Sequence, residues 1–359
     1  MSVERDRGSK GEIIEVLKQL SPGTSLREAI DNIVELESGG LIAIADKERI
    51  EPIIESSFEM DTDFTPQKLT ELAKMDMAVV IDENLKKIIY ANAYLIPDTS
   101  IPSQERGTRH RAADKVAKQL GVAVIAISEQ RERVTIYYNH ERYILRDIAT
   151  VNSNVNQALQ ILEQHRMEFD RLIREITTLE LVGRVLPYHV ASVIQKIIQM
   201  LETREEIERL FVELGEVKVL PERQLEGLML RVWEELQLLI EDFKRDETMD
   251  TQEIGDRFRE LGSEVLLSLE RAMNPLGYEG EEDLSTVLPS RGYRVLSKIP
   301  RLPMSVIERL VTRFDTLENI LSADRDSLQQ VRGVAEVRAS AIKSGLQLLR
   351  SRFFIFDEL

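Results

Sequence analysis

The sequence contains no cysteine, a single tryptophan and only 5% aromatic residues among its 359 positions. The lack of cysteine excludes disulfides, thiolate nucleophiles and cysteine-ligated zinc sites. The sequence also lacks any apolar run that approaches the roughly 18 residues needed to cross a bilayer, and its first residues form no apolar signal segment. We therefore expect a cytoplasmic protein with no membrane contact.

Acidic residues outnumber basic ones overall, 63 against 47, but one end of the chain is net positive. The formal net charge is -16. Residues 290–359 contain twelve Lys and Arg against eight Asp and Glu, so this segment is +4 while residues 1–289 are -20. Such a chain does not coat nucleic acid with its whole surface. The charge distribution instead makes the last 70 residues the candidate nucleic-acid-binding segment.

The pattern of apolar residues predicts three domains, residues 1–148, 149–288 and 289–359. The first has about six strand-like runs and four helical segments, which predicts an α/β layer domain. Its predicted strands cover residues 41–45, 75–81, 87–95, 122–128, 134–138 and 142–145. The second has helical periodicity alone, with helices predicted over residues 151–179, 193–201, 207–214, 225–243 and 254–269. Its apolar stripes are typical of a plain bundle core, so we assign this spacer no chemistry.

One helix of the first domain begins in an unusual way. Helix is predicted over residues 108–120, with Thr108 as the N-cap and Gly121 as the left-handed residue that ends it. Its first turn carries three basic residues, Arg109, His110 and Arg111. Positive charge is unfavourable there because the helix dipole and the unpaired N–H groups already favour anions.

Two explanations of these charges carry equal weight at the level of sequence. A bound polyphosphate would use the backbone N–H groups, the Thr108 hydroxyl and the guanidinium groups together. Alternatively, the basic residues are solvated and are neutralised by nearby acids such as Glu105 or Asp114.

The third domain contains a pattern that resembles a helix-hairpin-helix motif in residues 331–339. In such a motif, backbone N–H groups at a helix start approach DNA phosphates without reading the bases. Residues 299–303 resemble a degenerate partner of this hairpin. Ala335 replaces the second hairpin glycine, and we expect it to need a positive φ. The predicted DNA-binding residues are Arg301, Arg332, Gly333, Val334, Ala335 and Arg338. The alternative is a helical module that contacts other proteins.

The first domain combines several short motifs in one order along the chain. These are Asp76-Met77-Ala78, Leu95, Gly107-Thr108-Arg109-His110-Arg111 and Ile127-Ser128-Glu129. Together they resemble the diadenylate cyclase domain. With the helical spacer and the basic C-terminal segment, nearly the whole chain resembles the DNA-integrity-scanning diadenylate cyclases of bacteria. This resemblance implies an α/β nucleotide-binding domain, an all-α spacer and a C-terminal helix-hairpin-helix domain.

The resemblance also implies a reaction and a set of partners. Two ATP molecules would be condensed into cyclic di-AMP and pyrophosphate, each 3′-hydroxyl attacking the α-phosphate of the other nucleotide. Two ATP-loaded domains must then face each other, so a homo-oligomer is required, and the family resemblance implies an octamer. The implied cofactor is Mg²⁺ or Mn²⁺. The implied DNA partner is recognised without sequence specificity and in branched or damaged forms.

The resemblance assigns roles to residues of the first domain. Asp76 would activate the 3′-hydroxyl and bind the cation, although a lone aspartate at a strand start is more often structural. The residues expected to bind ATP are Met77, Ala78, Leu95, Thr108, Arg109, His110, Arg111, Ala112 and Ser128.

The sequence departs from the family pattern at three positions. Met77 stands where the family has glycine, Gln130 where it commonly has arginine, and Ala112 where this branch often has threonine. The departures at Met77 and Gln130 support an alternative function, a catalytically weakened protein that senses nucleotide and binds DNA. A purely structural oligomer is a further alternative, but it leaves the basic helix start without a reason.

Overall fold

A mixed seven-stranded sheet forms the centre of the N-terminal part of the computed structural model, which describes residues 13, 15–129, 133–280 and 285–354. Its strands are β1 (Gly40–Ile44), β2 (Ile54–Asp63), β3 (Ala78–Ile81), β4 (Lys87–Leu95), β5 (Ala123–Ser128), β6 (Arg133–Tyr138) and β7 (Glu141–Ile144). They are ordered β2-β4-β3-β1-β5-β6-β7. Strands β1 and β3 pair in parallel, and the other neighbours pair antiparallel.

Helices cover both faces of this sheet. Helices α1 (Ser25–Glu35) and α3 (Pro66–Leu72) lie on one face, and α4 (Thr108–Leu120) lies on the other, while α2 (Lys47–Ile50) is a single turn. Successive side chains of β1 point to opposite faces of the sheet. Ile42 packs with the apolar residues of α1, and Ala43 packs with those of α4. Burial on both faces explains why the central strands are apolar at every position. The predicted α/β class is confirmed.

Strand β2 is the element that sequence patterning did not predict. It is a ten-residue edge strand whose side chains are almost all exposed or half-buried, and it is rich in acidic residues. Because only its first residue, Ile54, packs against an apolar layer, the strand has no hydrophobic alternation to reveal it. Its pairing with β4 is interrupted by register shifts.

After the sheet, the described residues form helices as predicted, with one isolated bridge between Val185 and Leu288, but several helix boundaries differ from the predicted ones. The helices are α5 (Ile148–Leu181), α6 (Pro187–Leu214), α7 (Val219–Met229), α8 (Val232–Phe243), α9 (Thr251–Leu261) and α10 (Leu269–Met273). The break predicted between residues 201 and 207 is wrong, since α6 is continuous. The single helix predicted over residues 225–243 is also wrong, because the chain turns at Arg231 with a φ of +63°. The helix predicted to reach residue 269 ends at Leu261 and continues as a 3-10 segment.

Five further helices form the C-terminal segment. They are α11 (Tyr293–Ser297), α12 (Met304–Phe314), α13 (Leu317–Ser322), α14 (Arg325–Gln329) and α15 (Glu336–Phe354). Two short loops, before α12 and before α15, have Arg301 and Gly333 at equivalent positions with φ of +61° and +92°. Ala335 is not among the residues with positive φ, so the expected strain at Ala335 is absent. The second hairpin position therefore accepts a side chain without backbone cost.

The chain divides into two compact units. One comprises Met1–Asn156 with Glu208–Glu222, and the other comprises Gln157–Ile207 with Arg223–Leu359. The three-domain division expected from the sequence stays a prediction. No helix in the described part of the chain is both long and apolar enough to span a membrane.

A buried ionic cluster lies within the second unit. The fully buried Arg294 guanidinium lies 2.5 Å from Glu180 and 3.2 Å from Glu235, and it donates to the Thr177 hydroxyl at 2.8 Å. The Asp242 carboxylate accepts from the backbone N–H groups at the start of α11 at 2.6–2.9 Å. The spacer helices α5 and α8 thereby hold the first helix of the C-terminal segment.

We expect Arg294→Met to lower the free energy of unfolding of this unit by about 3–5 kcal/mol, because it leaves buried carboxylates without a counter-charge. The only tryptophan, Trp233, lies in this unit, so its fluorescence during urea titration measures the effect. The matched control is Arg325→Met, which removes an exposed arginine and should change stability by less than about 0.5 kcal/mol. Equal midpoints for the two variants would contradict a stabilising role of the cluster.

Candidate functional site

Four segments that are distant in sequence meet where the central strands of the sheet begin or end. The register pairs Leu41 of β1 with Ala78 of β3 and Ala126 of β5, and pairs Ala78 with Ala93 of β4. Strands β1 and β3 therefore begin where β4 and β5 end. The residues at this boundary, which we call the site edge, are Gly39, Gly40, Asp76, Met77, Tyr94, Leu95, Ile127 and Ser128.

Helix α4 begins over the same edge. Its N-cap is Gly107 with a φ of +101°, so the prediction of Thr108 as N-cap is wrong and Thr108 is the first helical residue. Glycine suits this cap because few other residues adopt that backbone conformation. Gly121 ends the helix with a φ of +63°, as predicted. From the first turn, the Arg109 guanidinium reaches across to the Ile127 carbonyl oxygen at 3.4 Å.

Gly39 makes room for the Arg109 side chain. A Cβ atom at this buried glycine would lie 2.1 Å from Arg109 Nη1 and 2.8 Å from Cζ, well inside van der Waals contact. The guanidinium therefore occupies the space that a side chain at residue 39 would fill. Sequence patterning does not reveal this role, because a Gly-Gly pair before a strand does not say which side chain approaches it.

Neither acid proposed to neutralise the helix start does so. Glu105 pairs with Arg142 at 3.0 Å, and Asp114 pairs with Lys118 at 2.8 Å. Arg111 is exposed and donates from Nε to a backbone carbonyl, that of Glu105, at 3.4 Å. The solvated-charge alternative thus loses the partners on which it depended, and the anion-binding explanation is favoured.

His110 points into a less polar environment than its neighbours. Its Nδ1 lies 3.0 Å from the hydroxyl of Tyr137, a residue of β6 that is 1% exposed. Burial lowers the pKa of His110 below its ordinary value. The Glu105 carboxylate raises this pKa, and the guanidinium groups of Arg142, Arg109 and Arg133 lower it. The imidazole is therefore neutral at pH 7, with one nitrogen a donor and the other an acceptor.

The residues before β3 lie open at the site edge. Asp76 is exposed, and its carboxylate makes no hydrogen bond or ion pair with any described residue. It does not cap a neighbouring turn, so the structural alternative for Asp76 gains no support. Met77 is 38% exposed beside it. No group of three or more ligating side chains able to hold a metal ion occurs within the described ranges. A cation at Asp76 would therefore need ligand oxygens from outside the protein, as Mg²⁺ bound with substrate phosphates commonly has.

Three predicted ATP-binding residues contribute mainly to packing. Ala78 is fully buried, Leu95 is 7% exposed, and both belong to the apolar cluster beneath α4, against which Ala112 also packs. Ser128 ends β5 and is half-buried at the site edge. Gln130 lies outside the described residues. The structure thus gathers Asp76, Met77, the basic first turn of α4 and Ser128 around one edge, with the apolar residues below.

The predicted DNA-binding residues lie in the other unit. Arg301, Ala335 and Arg338 line a cleft of about 450 Å³ between the two hairpin loops. Arg332 and Gly333 are exposed in the second loop, and Arg338 donates to the Gly333 carbonyl. Val334 is 3% exposed and packs in the core of this segment, so its side chain offers no contact surface.

Two family models match consecutive parts of the chain. The model described as DisA bacterial checkpoint controller nucleotide-binding matches residues 27–142, and the model described as DisA bacterial checkpoint controller linker region matches residues 145–285. The sheet, its basic helix and the site edge all lie within the first match. The N-terminal domain is therefore a nucleotide-binding domain of the diadenylate cyclase class, and a helical linker follows it.

Three full-length relatives are each named DNA integrity scanning protein DisA. The protein from Acetivibrio thermocellus is 41% identical over 351 residues, covering 98% of both chains. That from Clostridium botulinum strain Langeland is 40% identical, covering 99% of both chains. That from Carboxydothermus hydrogenoformans is 42% identical, covering 95% of this chain and 97% of its own. The chain belongs to the DNA integrity scanning protein DisA family, as the sequence motifs indicated.

We expect Gly39→Ala to weaken ATP binding about tenfold, because the new methyl group displaces the Arg109 guanidinium from its place at the site edge. Isothermal titration calorimetry measures the change. The matched control is Gly40→Ala, whose Cβ would meet its neighbours at 3.6–3.8 Å, which is ordinary contact. Arg109→Ala and the double variant complete the test. If the losses of binding free energy of the two single variants add in full in the double variant, the two residues do not act through the same guanidinium.

Proposed function

We propose that the protein is a cytoplasmic diadenylate cyclase that condenses two ATP into cyclic di-AMP and two pyrophosphates, and that its C-terminal segment binds DNA. The observation that carries the proposal is the placement of the first-turn basic residues of α4 over the site edge. The two neighbouring acids, Glu105 and Asp114, form ion pairs with other residues instead. Membership of the DisA family supports the same reaction.

The residues of the site edge suit binding of a nucleoside triphosphate. Arg109, Arg111 and the backbone N–H groups at the start of α4 would hold the phosphates, and the neutral His110 would add one hydrogen bond. These donors are fixed by the helix, so they stabilise charge that develops at the α-phosphate without having to reorganise. Met77 is flexible and half-exposed, and we place it against the nucleotide base or ribose.

Asp76 is assigned to the attacking hydroxyl. In each half-reaction the 3′-oxygen forms a bond to the α-phosphorus of the other nucleotide, the bond to pyrophosphate breaks, and the hydroxyl proton passes to the Asp76 carboxylate. Bound Mg²⁺ or Mn²⁺ would neutralise phosphate charge, and the free, exposed carboxylate of Asp76 fits such an ion. Ser128, at the end of β5, would border the same nucleotide.

A second domain must supply the second ATP. The rim of the site edge carries four apolar side chains that are 38–47% exposed, Met75, Met77, Tyr94 and Ile96. Exposed apolar groups around a polar site are typical of a surface that another protein covers. This supports a homo-oligomer with facing cyclase domains, and the octamer implied by the family resemblance is a proposal that analytical ultracentrifugation tests.

The direct test incubates full-length protein with ATP and Mg²⁺ or Mn²⁺ and measures cyclic di-AMP by mass spectrometry. We expect Asp76→Asn to lower the rate at least about 100-fold while ATP affinity stays within about twofold, because the carboxylate acts in proton transfer. The control is Asp63→Asn, which removes a carboxylate beside the first residue of β4, at the other end of the strands from the site edge. A normal rate for Asp76→Asn would remove this residue from the chemistry.

Met77 supports the second candidate function, a weakened cyclase that senses nucleotide. Its side chain stands at the site edge where glycine would leave the backbone open to the ligand. The same assay separates the two functions, because a sensor binds ATP or the dinucleotide without forming product. We favour retained activity, since the flexible thioether can turn aside.

DNA binding is assigned to the two hairpin loops of the C-terminal segment. The equivalent positive-φ positions Arg301 and Gly333 give both loops the same turn before a helix, as in a pair of helix-hairpin-helix motifs. Backbone N–H groups at the starts of α12 and α15 would contact phosphates, with Arg332 and Arg338 beside them. Such contacts suit binding of branched or damaged DNA without sequence specificity.

We expect Arg332→Glu to weaken binding to a four-way DNA junction at least about tenfold and to reduce the salt dependence by about one ion, because one phosphate contact is lost. Fluorescence anisotropy across a salt series measures both. Arg325→Glu makes the same charge change at an exposed residue of α14, outside both loops, and should have a smaller effect. Deleting the whole segment is a poorer test, because it removes Arg294 from the buried ionic cluster.

A further inference from the structure

We propose that Tyr137 is a positioning residue for His110: its hydroxyl donates to His110 Nδ1 and so keeps the ring proton on Nε2, where it can be donated to a bound phosphate. The inference rests on the proposed function for the identity of the ligand. Its core, the tautomer of one histidine, concerns the protein alone and can be measured without nucleotide.

The two rings are held in a fixed arrangement by secondary structure. Strand β6 places Tyr137 in the apolar cluster beneath α4, and α4 packs on β6. The Tyr137 ring and the His110 ring have centroids 6.1 Å apart and planes at 68°, an edge-on contact. The hydroxyl oxygen and Nδ1 are 3.0 Å apart, within hydrogen-bond distance. A tyrosine hydroxyl that is buried to this degree needs such a partner.

The direction of this hydrogen bond decides the chemistry of His110. If the hydroxyl donates, Nδ1 is the acceptor and Nε2 carries the proton. If Nδ1 donates instead, Nε2 is left as a bare acceptor and repels phosphate oxygens. Burial and the nearby Glu105 carboxylate raise the pKa of Tyr137 above its ordinary value, so the hydroxyl keeps its proton at any physiological pH.

The surrounding charges favour donation by the hydroxyl. The Glu105 carboxylate is a second acceptor within hydrogen-bond reach of the Tyr137 hydroxyl, and it is also paired with Arg142 at 3.0 Å. His110 is kept neutral by burial and faces the guanidinium groups of Arg109, Arg142 and Arg133. A neutral imidazole must accept at one nitrogen, and among the described residues the Tyr137 hydroxyl is the group placed within hydrogen-bond distance of Nδ1. Nε2 then remains to donate beside Arg109 and Arg111.

The experiment observes the imidazole nitrogens directly. The chain has four histidines, so ¹⁵N-histidine labelling of sedimented full-length protein gives few signals in magic-angle-spinning NMR, and the His110→Asn variant assigns the relevant pair. At pH 7.5 without nucleotide, the parent protein should show Nε2 protonated and Nδ1 bare. A protonated Nδ1, or a doubly protonated ring, would overturn the proposal without using any variant or any activity.

The Tyr137→Phe variant keeps the aromatic packing and removes the donor. We expect a mixture of His110 tautomers and a five- to tenfold rise in the Kd for ATP, the effect of losing one well-placed hydrogen bond. The control is Tyr138→Phe, which removes a hydroxyl from the next residue, on the opposite face of β6. It should change neither the tautomer nor the Kd.

The two kinds of failure give different results. If Tyr137→Phe shows the parent's single Nε2–H tautomer and the parent's Kd for ATP, Tyr137 does not position His110. If the parent shows the expected tautomer but binds no ATP, the positioning holds and the proposed ligand is wrong. A Tyr137→Phe variant that changes the tautomer and lowers ATP affinity supports both.

Discussion

The site depends on one steric constraint, the space that Gly39 leaves for the Arg109 guanidinium at the start of β1. A guanidinium placed there reaches the carbonyl of Ile127 on the neighbouring strand β5 and fixes the first turn of α4 over the site edge. Because the planar guanidinium donates to the Ile127 carbonyl and packs against Gly39, it offers a fixed cation to a ligand. The same turn carries His110 and Arg111 to this edge.

The mixed sheet explains why so many segments converge at one place. Parallel pairing of β1 with β3 makes both strands begin at the same edge, and antiparallel pairing makes β4 and β5 end there. Gly39, Asp76 and Ser128 are thereby neighbours in space although they span 90 residues of chain. The layer beneath α4 contributes the buried Tyr137, so that apolar packing and ligand chemistry share one helix.

In the second unit, a buried ionic cluster joins the C-terminal segment to the spacer helices. The apolar core of this unit includes residues of all five helices of the C-terminal segment, but the attachment of α11 to the spacer helices depends on buried charge, centred on Arg294. A buried ion pair contributes little net stability compared with apolar packing, yet removal of one partner is costly. Such a cluster fixes one arrangement of the hairpin loops relative to the spacer helices.

Local chemistry in the sequence was enough to determine the α/β class, the central strands, helix α4 with its basic first turn, the change to helices after the sheet, and the family. These features depend on periodicity, caps and short motifs that a chain segment carries by itself. The sequence did not reveal β2, an edge strand without an apolar face, or the true ends of α6 and α8. Only the tertiary structure showed that Glu105 and Asp114 pair elsewhere, that Gly39 gives way to Arg109, and that Tyr137 bonds to His110. The pair of Asp114 and Lys118 is a local i,i+4 contact, but the other contacts join residues that are far apart in the chain, and no local pattern encodes them.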